Sequence, residues 1–190
     1  MASIIGIAGS LRSGSYNAML LRAAAEAMPA GAALEIASIR DIPLYDADLE
    51  RVQGIPPAVQ QLKDRIAAAD GLLIATPEYN NSMPGVLKNA IDWLSRPSAD
   101  IPRVFRGLPL GFIGATPGMG GTLLSQAAWL PVWRILGVLP FFEGRVIVSG
   151  AAKVFDDSGR IADPATDARV REYVGAFTAF VQRRKRGQSG

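Results

Sequence analysis

The extended apolar runs of this chain are apolar at odd and even positions alike, and this constrains the fold more than any other feature. Residues 3–8 (SIIGIA), 71–75 (GLLIA) and 110–115 (LGFIGA) show no polar alternation. A strand with one wet face alternates, whereas a strand covered on both faces does not. Between these runs lie segments with helical spacing. Met19, Leu20, Ala23, Ala24 and Ala27 predict a helix over about 17–28, stopped by Pro29 and Gly31. Val59, Leu62, Ile66 and Ala69 predict another over about 57–69, with Pro57 suited to its first turn. Further helices are expected over about 85–95, 121–136 and 163–183, and further strands at 34–37 and 145–149. The acidic, proline-bearing stretch 41–57 reads as a long loop.

Regular alternation of strand and helix means a parallel sheet with helices on both faces. Right-handed crossovers leave few ways to order it. The expected fold is α/β, a flavodoxin-like three-layer sandwich on a five-stranded parallel sheet of order 2-1-3-4-5. One domain is expected over 1–182. Residues 183–190 begin with Arg183, Arg184, Lys185 and Arg186 and read as a basic, disordered tail. The formal charge of +3 rests on that tail, so no nucleic-acid partner is expected. The stretch 107–133 carries no formal charge, but Gly114, Pro117, Gly118, Gly120, Gly121 and Pro131 punctuate it. It reads as strand, glycine loop and buried helix, not a membrane span. With no secretory-type leader in view, a cytoplasmic protein is expected.

The chain has no cysteine and no histidine. Disulfides, thiolate nucleophiles, Cys/His zinc sites and imidazole general bases are thereby excluded, and no metal site is expected. Any catalysis must use other side chains or a cofactor that carries the chemistry.

In open parallel sheets ligands bind beyond the carboxyl ends of the strands. Three loops leave those ends. The first, Gly9-Ser10-Leu11-Arg12-Ser13-Gly14-Ser15-Tyr16-Asn17, is neither a dinucleotide fingerprint nor a P-loop. It offers hydroxyls, one guanidinium and a helix N-terminus, which suit a terminal monophosphate. Ser15 or Asn17 could equally be a plain helix cap. The second, Thr76-Pro77-Glu78-Tyr79-Asn80-Asn81-Ser82-Met83-Pro84-Gly85, offers a stiff backbone, one aromatic face and amide edges, as a flat heteroaromatic ring requires. Glu78 has no partner carboxylate nearby in sequence and reads as structural. The third, Gly114-Ala115-Thr116-Pro117-Gly118-Met119-Gly120-Gly121-Thr122, would let a ligand approach the backbone closely.

The sequence resembles the NAD(P)H-dependent FMN reductase family, whose relatives reduce quinones, chromate and azo dyes. The resemblance is carried by Gly9-Ser10-Leu11-Arg12 with Ser15 and Asn17, and by Pro43-Leu44-Tyr45-Asp46. Above all it is carried by Pro77-Glu78-Tyr79-Asn80 continuing through Ser82, Pro84-Gly85 and Leu87-Lys88-Asn89-Ala90-Ile91-Asp92-Trp93. That last run is long and specific. The resemblance implies non-covalent FMN, its phosphate held at Ser10, Arg12, Ser15, Tyr16 and Asn17. Its ring would be lined by Pro77, Glu78, Tyr79 and Asn80 and approached by Thr116 and Gly118. NADPH or NADH would deliver hydride to flavin N5, and the electrons would pass to a small-molecule acceptor, so no catalytic side chain is assigned. It also implies a homodimer or homotetramer. The apolar segments Val86 to Leu94 and Trp129 to Phe142 are the expected interface. Asn81 stands where the chromate-reducing branch often has an aromatic residue. Leu123 to Pro131 replaces the Arg and Tyr found there. The alternative is a flavodoxin-like electron carrier without small-molecule turnover, against which Arg12 and the near-neutral body argue.

Overall fold

The computed structural model describes residues 1–188. In chain order the elements are β1 (Ala2–Ala8), α1 (Tyr16–Glu26), β2 (Ala32–Ala37), α2 (Ala47–Gln53), α3 (Pro57–Ala67), β3 (Gly71–Ala75), α4 (Gly85–Leu94), α5 (Ile101–Val104), β4 (Pro109–Ala115), α6 (Leu123–Leu136), β5 (Leu139–Pro140), β6 (Val146–Val148) and α7 (Pro164–Gln188). The sheet is parallel in order β2-β1-β3-β4-β5, with β6 also paired to β4. Two short strands therefore share the fifth lane. β5 lies against Pro109 and Leu110, and β6 against Ile113 to Ala115.

β3 and β4 are buried along their whole length, which explains their unbroken apolarity. Two cores result. On one face Ile5, Ile7, Leu72, Ile74 and Leu110 meet α3, α4 and α6. On the other, Ile4, Leu73, Ile113 and Val146 meet α1 and α7. The register places Ala8 beside Ala75, and Ala75 beside Ile113. The ladder runs on past the strands, with Gly9 N donating to Ala75 O at 2.8 Å and Thr76 N to Ile113 O at 2.9 Å. The three loops thus start side by side.

Three sequence expectations change. The stretch 41–57 holds a helix, α2, which buries no side chain. It carries no apolar stripe and starts instead at Asp46, whose carboxylate accepts from Asp48 N and Leu49 N. The closing helix, expected to end at about 183, runs to Gln188. Arg183 pairs with Glu143 at 3.1 Å, and Arg184 lies over the Phe180 ring, so the basic segment starts within ordered helix. Residues 189–190 lie outside the described residues. The third change is the split fifth lane. No helix among the described residues is long and apolar enough to cross a membrane.

One polar cluster ties α3 to the chain after α4. The Lys63 side chain is wholly buried, and its ammonium donates to Arg96 O and, at 2.5 Å, to Asp100 Oδ2. Arg103 bridges Asp64 and Asp100, and Arg96 holds Glu50. The Lys63 hydrogen bond holds the Asp100 carboxyl below the usual carboxylate range, and Arg96 does the same to Glu50. Depressed carboxylates stabilise the fold above their unfolded-state pKa, and that contribution is lost as pH falls through the folded value. Stability is therefore expected to fall below about pH 4. Lys63→Met keeps the packing but removes a buried donor with two acceptors. It is expected to destabilise the protein by about 1–3 kcal/mol at neutral pH, read by urea unfolding. It should also flatten the acid limb.

Candidate functional site

The first loop leaves β1 and turns into α1. Ser15 is the N-cap, its hydroxyl accepting from Ala18 N at 3.3 Å. This satisfies one of the helix's orphan donors and leaves the Tyr16 and Asn17 N–H groups in the first turn, where an anion is favoured. The Arg12 guanidinium lies 5.2 Å from the centre of the Tyr16 ring, and that ring stacks on Phe155 at 5.8 Å. Arg12 is thus folded over its own loop. The loop is tethered from β2's end by Arg40, which donates to Leu11 O at 2.5 Å.

The Asn17 side chain is buried, donating to Ala115 O at 2.8 Å and accepting from Ala115 N at 2.9 Å. Both ends of the amide are engaged by the end of β4, so the side chain ties the first turn of α1 to that strand.

The second loop leaves β3 as a fixed wall. Tyr79 and Ser82 exchange two backbone hydrogen bonds of 3.0 Å around Asn80 and Asn81, whose φ values are 50° and 59°. This is a two-residue hairpin of the I′ type, and asparagine tolerates its left-handed backbone. Tyr79 remains half exposed, and its hydroxyl donates to Ser10 Oγ at 3.1 Å. The wall and the cradle are therefore joined directly. Pro77 is buried and packs close to Gly9, where a Cβ would meet Pro77 Cδ at 2.9 Å.

Glu78 reaches across to α6. Its Oε2 accepts from Ser125 N at 3.0 Å, in the first turn of α6. Beside it Thr76 Oγ1 sits 3.0 Å from Ser125 Oγ and accepts from Trp129 Nε1 at 3.2 Å. Ser125 and Trp129 fix the wall, and sequence reasoning passed over both because their partners lie about 50 residues away. The same holds for Asn89, which clamps the Pro43–Tyr45 strap through Pro43 O and Tyr45 N.

The third loop leaves β4, so the second loop lies between it and the first. Thr116 N donates to Val148 O at 3.0 Å, and Gly118 O accepts from Gly150 N at 3.0 Å. At Gly114 a Cβ would stand 2.6 Å from Thr76 O and 2.0 Å from Thr122 Oγ1, so only glycine lets the two loops meet. The structure brings Ser10, Arg12, Ser15, Tyr16, Pro77, Glu78, Tyr79, Asn80, Thr116 and Gly118 to one end of the sheet.

The donor set of the first loop suits a phosphate monoester, and the hairpin beyond β3 suits a planar ring. The sequence model described as NADPH-dependent FMN reductase matches residues 2–153. The chain belongs to the NADPH-dependent FMN reductase family. An NAD(P)H-dependent FMN reductase of Pseudomonas aeruginosa is 44% identical over 180 residues, covering 95% of each chain. A quinone reductase of Escherichia coli is 39% identical over 189 residues, covering 96% of each. Among solved structures, the flavoenzyme NAD(P)H:(acceptor) oxidoreductase FerB of Paracoccus denitrificans superposes with a TM-score of 0.86 at 30% identity, over 97% of this chain and 99% of that one. The fold of this FMN reductase family member is thus flavodoxin-like, and membership implies FMN and a nicotinamide donor. The family match spans all three loops.

Proposed function

We propose that this protein is an FMN-dependent NAD(P)H oxidoreductase that reduces quinones, with free flavins, chromate and azo compounds as further acceptors. One observation carries the reading: a phosphate cradle and a ring wall, tied together by the Tyr79–Ser10 hydrogen bond at the sheet's carboxyl edge. The quinone reductases among the relatives support the choice of acceptor. FMN, when bound, supplies the redox chemistry, taking two electrons from the nicotinamide and yielding them to the acceptor. The chain's own residues bind and orient. Arg12, the Ser10 and Ser15 hydroxyls and the α1 N-terminus would hold the phosphate. Pro77 to Asn80 would place the ring, and the exposed loop at Gly118 would leave room for a second substrate. Hydride transfer depends chiefly on such placement.

The test is anaerobic. Purified protein carrying FMN is mixed with NADPH or NADH, with and without a quinone. Rapid bleaching and quinone-dependent recovery of flavin absorbance are expected. A flavin that neither nucleotide reduces would refute the reading.

We also propose a homo-oligomer built on α6. The apolar residues of α4 are largely covered within the chain, Trp93 by Pro43 and Tyr45. On α6, by contrast, Leu130 and Ile135 stay exposed, and so does the nearby Phe142. Leu130 and Ile135, with Pro131 and Arg134, line a hollow of about 540 Å³. Ile135, at 80% exposure, is the best probe. Ile135→Glu is expected to shift the protein to monomer in sedimentation velocity. Unchanged sedimentation would place the interface elsewhere.

A further inference from the structure

Past the glycine loop the surface becomes basic. A pocket of about 320 Å³ opens at the β6 edge of the sheet, lined by Gly120, Leu123, Arg145, Ile147 and Arg169. Both of its charged lining residues are arginines, and no carboxylate lines it. Arg145 is exposed on the link into β6, and Arg169 is exposed on α7. Among the described residues no carboxylate comes within ion-pair distance of either guanidinium. Arg169 donates to Thr166 Oγ1 at 2.9 Å. Asp163 feels the charge of Arg169, but its carboxylate is engaged by Thr166 N at 2.8 Å, at the start of α7. Two guanidiniums converging on one hollow without acids present a forked donor set for a phosphate monoester.

The pocket is separate from the cradle at α1. It shares a wall with the third loop, since Gly120 lines it and Gly118 lies two residues away. The backbone at Gly121 presses on Ile147, where a Cβ would fall 2.2 Å from Cγ2. A dinucleotide whose nicotinamide lay on the ring could therefore run outward along this loop to the β6 edge. NADPH differs from NADH by one phosphate monoester, on the adenosine ribose. We propose that Arg145 and Arg169 hold the 2′-phosphate of NADPH and give this protein its preference between the two donors. The assignment rests on the reading of the site as an NAD(P)H oxidoreductase.

The experiment uses the FMN-loaded protein and two probes, adenosine 2′,5′-bisphosphate and ADP, titrated by calorimetry. The wild type is expected to bind the bisphosphate more tightly. Arg145→Ala and Arg169→Ala should each weaken that binding about tenfold or more, as loss of a charge-assisted hydrogen bond implies, with far less effect on ADP. The ratio of kcat/KM for NADPH over NADH should fall by a similar factor. Arg51→Ala, which removes a charge from exposed α2, should leave the ratio where it was. Equal weakening of both probes would mean that the pocket reads the pyrophosphate, and no weakening would mean that it reads neither; each overturns the proposal. If neither donor reduced the flavin, the functional reading would fail, while the two-probe comparison would still decide the pocket.

Discussion

Arg12→Ala is expected to weaken FMN retention by about 10- to 100-fold, because a charge-assisted hydrogen bond to a buried or half-buried anion contributes about 1.5–3 kcal/mol. The guanidinium is the one formal positive charge in the segment Gly9 to Asn17. Its other described contact is the face of Tyr16, which leaves its donors free to turn to a phosphate. The fold should hardly notice, since Arg12 is exposed and buries little. The measurement is fluorescence titration of the apo-protein with FMN, alongside riboflavin as a control that lacks the phosphate. The variant should bind the two flavins with nearly equal affinity, whereas the wild type favours FMN strongly. Arg12→Lys should fall between, since an ammonium keeps the charge and loses the fork. If Arg12→Ala still discriminated FMN from riboflavin fully, the phosphate would lie elsewhere.

Much of this was legible in the chain itself, for a physical reason. β3 and β4 are covered on both faces, and a strand so placed must be apolar at every position. Order followed from strand–helix alternation and crossover handedness, and the loops followed from the order. What stayed hidden falls into two kinds. α2 buries nothing, so it leaves no apolar stripe to read, and its start is set by the carboxylate of Asp46. The last turns of α7 were hidden in the same way, under a run of arginines that looks solvated in sequence. The other kind is long-range pairing. Glu78 finds Ser125 N, 47 residues on, and Asn17 finds Ala115, 98 residues on. Residue type gave each a list of partners, and only the fold chose among them.

That choice makes Asn17 the position where a single change should do most. Asn17→Ala would strand the N–H and C=O of Ala115, both buried at the end of β4. An unsatisfied buried polar group costs about 1–3 kcal/mol, so the variant is expected to lose about 2–5 kcal/mol of stability by urea unfolding. The effect should reach FMN as well. The Asn17 amide pins the first turn of α1, which carries the phosphate cradle, to the strand that launches the loop at Thr116 and Gly118. Releasing it loosens the distance between the two ends of the flavin site, so affinity for FMN should drop. Asn17→Asp separates the two roles. It can still accept from Ala115 N, but it sets a carboxylate against Ala115 O and brings a negative charge beside the cradle. Its FMN affinity should therefore fall further than its stability alone would predict, and more at pH 8 than at pH 5, where the carboxyl is closer to its protonated form. If Asn17→Ala bound FMN as tightly as the wild type, the cradle would hold its shape without β4, and the tether would serve the fold alone.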